Sequence, residues 1–280
     1  MNFEEMIGRA AGKALVSEVK ATPKPGLVDS ENNGSHSDMN IDTFLSSAKV
    51  LEKYFAFFAS YGRMTSAMPA KAAFADARKI GVEAERAMYE ATGGINTHKG
   101  AIFSLGLLSL SAGRLHEKGR EINLASLCDT VAEFTEGICE RDYARVGGMF
   151  SHGDEVYKKY GLTGPRGEAE KGFPTLRFVT YPVLSKLFGE GYSENDALVR
   201  SLLKTMAVLD DTNILNRSDR KTLEYVKSRA ASLVYSDLEE IREFDRELIG
   251  KNVSPGGSAD LISQAYFVYL LEKNAENGIM

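Results

Sequence analysis

Residues 92–117 read TGGINTHKGAIFSLGLLSLSAGRLHE. From Ala101 to Leu115 apolar side chains return every three or four positions, the period of an α-helix. The same spacing recurs over 3–20, 41–61, 68–91, 98–117, 121–144, 173–188, 194–209, 219–234, 237–249 and 258–273. Start signals support several of these. Ser193 precedes ENDALVRSLL, Ser236 has Glu239 three residues on as a capping box, and Ser258 precedes ADLISQAYFVYLL. Strict alternation bounded by turn residues, the mark of a half-buried strand, is nearly absent. The expected fold is all-α: one compact domain over 1–280, of about ten helices, with polar loops converging on one cleft.

Hydrophobic residues make up 43% of the chain and charged ones 26%, enough for a sizeable core. The formal charge of −5 and a pI near 5.6 argue against a general nucleic-acid binder, which carries a basic face. No stretch approaches the roughly 18–20 apolar residues that span a bilayer. The first twenty residues are mixed in charge and unlike a signal peptide, so cytoplasmic residence is the expectation. Two cysteines occur, Cys128 and Cys139. On one helix they would stand roughly 16 Å apart, too far for a disulfide, so two reduced thiols are expected.

Glycine and proline cluster in TPKPG (22–26), ENNGSHSD (31–38), TGG (92–94), VGG (146–148), YGLTGPRGEAEKGFP (160–174) and SPGG (254–257). These segments carry charged and hydrogen-bonding residues between their breakers, unlike flexible linkers. In TGGINTHKG, Gly93 and Gly94 permit positive φ and close backbone approach. A helix beginning near Thr97 presents unpaired N–H groups to an anion. Lys99 adds charge, and His98 can exchange a proton near neutral pH. The alternative is plain capping, by glycine for one helix and by Asn96 or Thr97 for the next.

The segment 22–40 supplies Lys24, Asp29, His36 and Asp38. Its two prolines hold these groups at low entropy, and its carboxylates suit a hard divalent cation. His36 suits acid–base work or phosphate binding, and Asp38 could instead cap the helix near Ile41. In 151–174, His152 and Tyr160 add polar chemistry. Arg166 lies between glycines and suits bidentate phosphate contact, while Glu168 could hold a metal or take a proton. Asp154 and Lys171 read as a solvated face. In LDDTNILNR (209–217) two adjacent carboxylates cannot both enter a helical core, so one faces a polar site with Thr212 and Asn213, unless Asp211 is simply a cap. Gly256 and Gly257 open the last helix, as an anion nest or a cap followed by Asp260. Phosphate-loop, dinucleotide-binding and nucleophile-elbow motifs are absent. Carboxylates, histidines and cations on a helical scaffold suit a magnesium-bound polyphosphate.

Taken in order, TPKPGLVD, NNGSHSDMN, TGGINTHKGAIFSLGLL, YGLTGPRGEAEKGFP, DDTN and SPGGSADL resemble the triphosphoribosyl-dephospho-CoA synthase family, over about residues 18–272. Two departures stand out. The family pattern has Arg after Asp29, where this chain has Ser30, and a glycine pair after Arg217, where it has Ser218 and Asp219. The resemblance implies that the 2′-hydroxyl of 3′-dephospho-CoA attacks C1′ of the ATP ribose, that adenine leaves, and that the triphosphate stays on the transferred sugar. The product would be the prosthetic-group precursor for the acyl carrier subunit of citrate lyase or malonate decarboxylase. Inversion at C1′ through an oxocarbenium-like transition state is expected.

On this resemblance Lys24, Lys99, Arg166, Asn213, Gly256, Gly257 and the N–H groups of 93–98 would bind ATP with Mg2+. Asp29, Glu168 and Asp211 would coordinate the metal or face the developing positive sugar. His98 or His36 would move the proton. The competing readings are a magnesium-dependent nucleotide or N-glycoside hydrolase, the same transfer to another acceptor, and a non-catalytic nucleotide-binding protein. The aromatic residues of 44–61 serve either the core or a homodimer contact.

Overall fold

The computed structural model describes residues 1–144 and 152–278; of the sequence features above, Val146–Gly148 and Ser151 lie outside these. Among the described residues the chain forms fourteen α-helices and no strand. They are α1 (Phe3–Lys20), α2 (Ile41–Met64), α3 (Ala70–Ala91), α4 (Lys99–Glu117), α5 (Leu124–Thr135), α6 (Ile138–Tyr143), α7 (His152–Tyr160), α8 (Gly164–Glu170), α9 (Tyr181–Gly189), α10 (Glu194–Met206), α11 (Thr212–Arg217), α12 (Arg220–Leu233), α13 (Leu238–Gly250) and α14 (Gly256–Glu276). A π-helical turn, Leu176–Thr180, leads into α9.

The opening stretch becomes α4, and α4 is the centre of the molecule. It is buried almost continuously from Ala101 to Leu115 and touches α1, α2, α3, α5, α8 and α14. A helix apolar on all sides belongs inside. Small residues set how close its neighbours come. A Cβ on Gly113 would fall 1.9 Å from the carbonyl oxygen of Ala59, and one on Gly62 would fall 2.1 Å from that of Leu110. The backbones of α2 and α4 therefore touch, and alanine at either site would push them apart. Phe58 fills the next gap, over Gly106. Phe55 and Phe58 belong to this core, whereas Phe57 faces outward.

The ten expected helices are present, with differences at their ends. The 121–144 segment breaks at Gly137, whose φ of 72° ends one helix and starts another. Asp237, not Ser236, caps α13, accepting from the amides of Glu239 and Glu240. The cap of α2 is Asn40 rather than Asp38. The short helices α7, α8 and α11 go beyond the sequence reading: each has too few turns to display a period, and α8 carries Pro165, which a first turn tolerates. Cys128 on α5 and Cys139 on α6 are both free, and burial pushes each thiol up to about 12. No described helix is long and apolar enough to cross a membrane.

Candidate active site

The amino ends of α4, α11 and α14 meet the 22–40 loop and α8 around one three-lobed cleft. A loop lobe of about 320 Å3 lies against Lys24, His36, Thr97, His98, Asn213 and Arg217. An α8 lobe of about 280 Å3 runs between α8 and α14, walled by Leu162, Pro165, Phe173, Leu209 and Leu261. An α3 lobe of about 580 Å3 opens between α3, α4 and α8, along Phe74, Tyr89, Phe103 and Arg166. Gly100 and Asp260 border all three.

In the loop lobe Lys24 is 3% exposed and bonds Glu18 of α1 at 2.5 Å. Burial raises the Glu18 carboxyl, and the lysine charge opposes that rise. The Nδ1 of His36 accepts from Arg217 at 3.2 Å, and its Nε2 meets Ser254 Oγ at 3.0 Å. Burial first, then the Arg217 charge, lower its basicity, against an opposing pull from Asp38. Arg217 also donates to the Ser35 carbonyl at 2.9 Å, fixing the loop to α11.

His98 is the N-cap residue of α4, and its side chain makes no capping bond. Its ring is buried, edge-on to Phe44 at 5.0 Å, with Nδ1 2.7 Å from Ser47 Oγ. Burial, aided by the Lys24 charge, lowers its pKa to about 3. The expected titration near neutrality therefore moves into the acid range, and the imidazole is neutral at neutral pH. Its Nε2 and the Oγ1 of Thr97 are buried without hydrogen-bond partners. Both residues line the loop lobe. Such atoms are few in native structures and cost about 1–3 kcal/mol each, so two at one lobe point to a ligand.

The three carboxylates expected to share a metal do not come together. Asp29 sits behind the loop, accepting from the amides of Lys24, Glu31 and Asn32. Asp211 is the N-cap of α11 and accepts from the amides of Asn213, Gly257 and Ser258 and from Ser258 Oγ. Its neighbour Asp210 turns out to Lys227. Glu168 lines the α8 lobe, accepts from Thr175 N and Oγ1, and is raised by burial. Among the described residues no three His, Cys, Asp or Glu side chains are grouped to hold a metal. The donor set therefore does not fit a resident magnesium held by Asp29, Glu168 and Asp211.

Other expectations change for reasons of packing. Gly93 and Gly94, at φ 68° and 92°, terminate α3 and stand in open space outside the cleft. Gly257 is no anion nest, because its amide and that of Ser258 are already taken by Asp211. Gly257 is needed because a Cβ there would strike that carboxylate, and Gly256 because one would press on Asn213. Asn96 accepts from the Lys99 amide at 3.3 Å and borders the cleft. Lys99, half exposed at the mouth, pairs with Glu85 at 3.0 Å. Arg166 is held by Asp154 at 2.9 Å and Asp142 at 3.4 Å over the Tyr143 ring, so Asp154 is its partner and not merely solvated. Ser30 bonds the Lys20 carbonyl, Ser218 bonds the Ile214 carbonyl, and Asp219 caps α12. None of the three borders the cleft.

Two residues on α14 emerge only from the structure as site groups. Asp260 forms no hydrogen bond or ion pair with any described residue. Burial first, then the charges of Glu18 and Asp211, raise its carboxyl well above the ordinary range. Gly100 is required opposite, since a Cβ there would lie 2.0 Å from Asp260 Oδ2. One turn further along, Gln264 is 3% exposed, borders the α8 lobe, and has no partner for its amide oxygen. Their spacing of four on a largely apolar helix was the signal in the sequence, obscured because SPGGSAD also reads as a cap.

The sequence profile of the CitG family, ATP:dephospho-CoA triphosphoribosyl transferase, matches residues 4–279. The chain belongs to that family. It is 41% identical to 2-(5″-triphosphoribosyl)-3′-dephosphocoenzyme-A synthase of Klebsiella pneumoniae, covering 96% of this chain and 91% of that protein. The protein of the same name from Pectobacterium atrosepticum is 38% identical, covering 94% and 88%. No solved structure matches the chain.

Proposed function

We propose that this chain transfers the 5-triphosphoribosyl group of ATP to the 2′-hydroxyl of 3′-dephospho-CoA. The O2′–C1′ bond forms, C1′–N9 breaks, and the hydroxyl proton is balanced by the proton that adenine gains on leaving. One observation carries the reading: three lobes meet at Asp260, a carboxylate with no hydrogen-bond partner among the described residues. The reaction likewise brings a triphosphate, a base and an acceptor together at one carbon.

The loop lobe takes the triphosphate. Thr97 Oγ1, Lys24, Arg217, Lys99 and the first amides of α4 supply donors and charge there. His98, being neutral, contributes a hydrogen bond from or to Nε2 rather than a cation. Magnesium enters chelated to ATP, as part of the substrate, which needs few protein carboxylates. Asp260 faces C1′, where it takes the proton of the attacking hydroxyl and opposes the charge of the oxocarbenium-like sugar. Glu168, raised by burial in the α8 lobe, returns a proton to the departing base. The larger α3 lobe receives dephospho-CoA, with Arg166 at its wall. The product would supply the prosthetic group of an acyl carrier protein.

The test is incubation with ATP, magnesium and dephospho-CoA, followed by mass analysis. Adenine and a conjugate retaining three phosphates are expected. Adenine formed equally without acceptor would replace the reading with a hydrolase, and ATP binding without adenine would leave a nucleotide-binding protein.

A further inference from the structure

The α8 lobe has apolar walls and a buried amide on α14. Leu162, Pro165 and Phe173 face Leu209 and Leu261 across it. Its polar lining includes Asp260, Lys171, Thr163 and Thr212, with Glu168 engaged by Thr175 and Ser104 bonding the Gly100 carbonyl. Among these groups Gln264 is 3% exposed, and its Oε1 has no hydrogen-bond partner among the described residues. A primary amide presents one donor and one acceptor side by side. The complementary edge on a purine is an amino donor beside a ring-nitrogen acceptor, which adenine shows at N6 and N7. Guanine shows two acceptors along that edge, so Oε1 would face O6 and be repelled.

We propose that the α8 lobe holds the adenine ring of ATP and that Gln264 pairs with its N6/N7 edge, selecting adenine as the leaving base. This rests on the ATP-dependent transfer above and adds the source of base specificity. The geometry is economical: Gln264 lies one helical turn, about 6 Å, beyond Asp260. One rigid helix face thus grips the base and the reacting sugar together. A donor on N7 also draws off the negative charge the ring acquires as C1′–N9 breaks, so the contact strengthens in the transition state.

The experiment uses three nucleotides: ATP, the purine riboside triphosphate lacking the 6-amino group, and 7-deaza-ATP lacking N7. Wild-type affinity for either analogue, read by calorimetry because loss of N7 also makes the base a poorer leaving group, is expected to be at least about tenfold weaker than for ATP. Gln264→Met should lose about as much with ATP and then treat all three within about threefold. A wild-type enzyme indifferent to both analogues, or a variant keeping the wild-type order of preference, overturns the assignment. Calorimetric binding of the same nucleotides without acceptor separates this from the reaction itself. If no transfer occurs but binding still depends on the 6-amino group through Gln264, the base site stands and the reaction fails. Absence of ATP binding removes both.

Discussion

Of the three helix amino ends at the cleft, those of α14 and α4 are treated in opposite ways. At α14 the first amides are closed by a carboxylate from the chain itself, Asp211, which also caps α11. At α4 the N-cap residue His98 makes no side-chain capping bond, Asn96 takes only the Lys99 amide at 3.3 Å, and buried polar atoms beside it lack partners among the described residues. The same macrodipole operates at both. The difference is occupancy: the amides of α14 are closed by Asp211, while beside the α4 end Thr97 Oγ1 and His98 Nε2 are unpaired among the described residues. The contrast extends to the carboxylates, since Asp211 is saturated by donors and Asp260 has none among the described residues.

The largest effect should come from the unsaturated member. Asp260→Asn is expected to lower adenine formation by about 10²–10⁴-fold, while the folded protein becomes more stable at neutral pH. The sign follows from the raised carboxyl: its proton is held more tightly in the folded state, so stability is full below the unfolded pKa and is lost as pH rises through the folded one. Asparagine removes that loss. Its advantage should be greatest near pH 7 and vanish in acid, as urea unfolding across pH would reveal. A variant both inactive and destabilised at neutral pH would make Asp260 a structural group like Asp211.

Asp211→Ala probes the saturated member. It strands the amides of Asn213, Gly257 and Ser258, and a loss of about 2–4 kcal/mol is expected in denaturant unfolding. Asp211→Asn, a good cap, should recover most of this. Residual activity per folded molecule should stay well above that of Asp260→Asn; equal losses would erase the distinction.

The N-cap histidine sharpens the contrast through pH. His98 has its pKa lowered to about 3, so folded protein resists a proton that unfolded chain accepts near 6.5. Stability is therefore whole above about pH 6.5 and declines as pH falls toward 3, by about one proton's slope. His98→Gln should flatten that decline, measured by urea unfolding between pH 4 and 7. The pH–rate profile should show no limb from this residue above pH 5. Activity of His98→Ala within about threefold of wild type would remove the residue from the mechanism.

How legible this was depends on what kind of fact is asked for. Long amphipathic helices announce themselves by period, and α4 was clear from AIFSLGLLSLSAGRL alone. The six polar strings also converge, because helix ends must carry the breakers and hydrogen-bonding groups that any site would use. Whether a given polar atom is satisfied was not legible. Asp29 and Asp211 look like ligands in sequence, yet Asp29 is taken up by amides two to five residues away in its own loop, and Asp211 by amides brought in from 46 and 47 residues away. Arg166 looked free between its glycines until Asp142 and Asp154 closed on it. Asp260 read as part of a cap until Asp211 was found to close those amides, and Gln264, buried in the middle of α14, showed no sign in the sequence of an unpaired amide.

The smallest effect expected is at Lys99, and it tests whether the open end of α4 is the phosphate end. Its side chain is 51% exposed and paired with Glu85, an arrangement worth at most about 1 kcal/mol in stability. Lys99→Met should leave folding unchanged. A charge at the cleft mouth acts instead on capture of the anionic chelate, at a distance that ions screen. The expected result is a KM for ATP raised about three- to tenfold with kcat preserved, shrinking toward wild type as salt is raised. Glu85→Gln, which frees the same ammonium, should shift KM the other way. A salt-independent loss confined to kcat would mean Lys99 does not guide the triphosphate, and the open end of α4 would need another ligand.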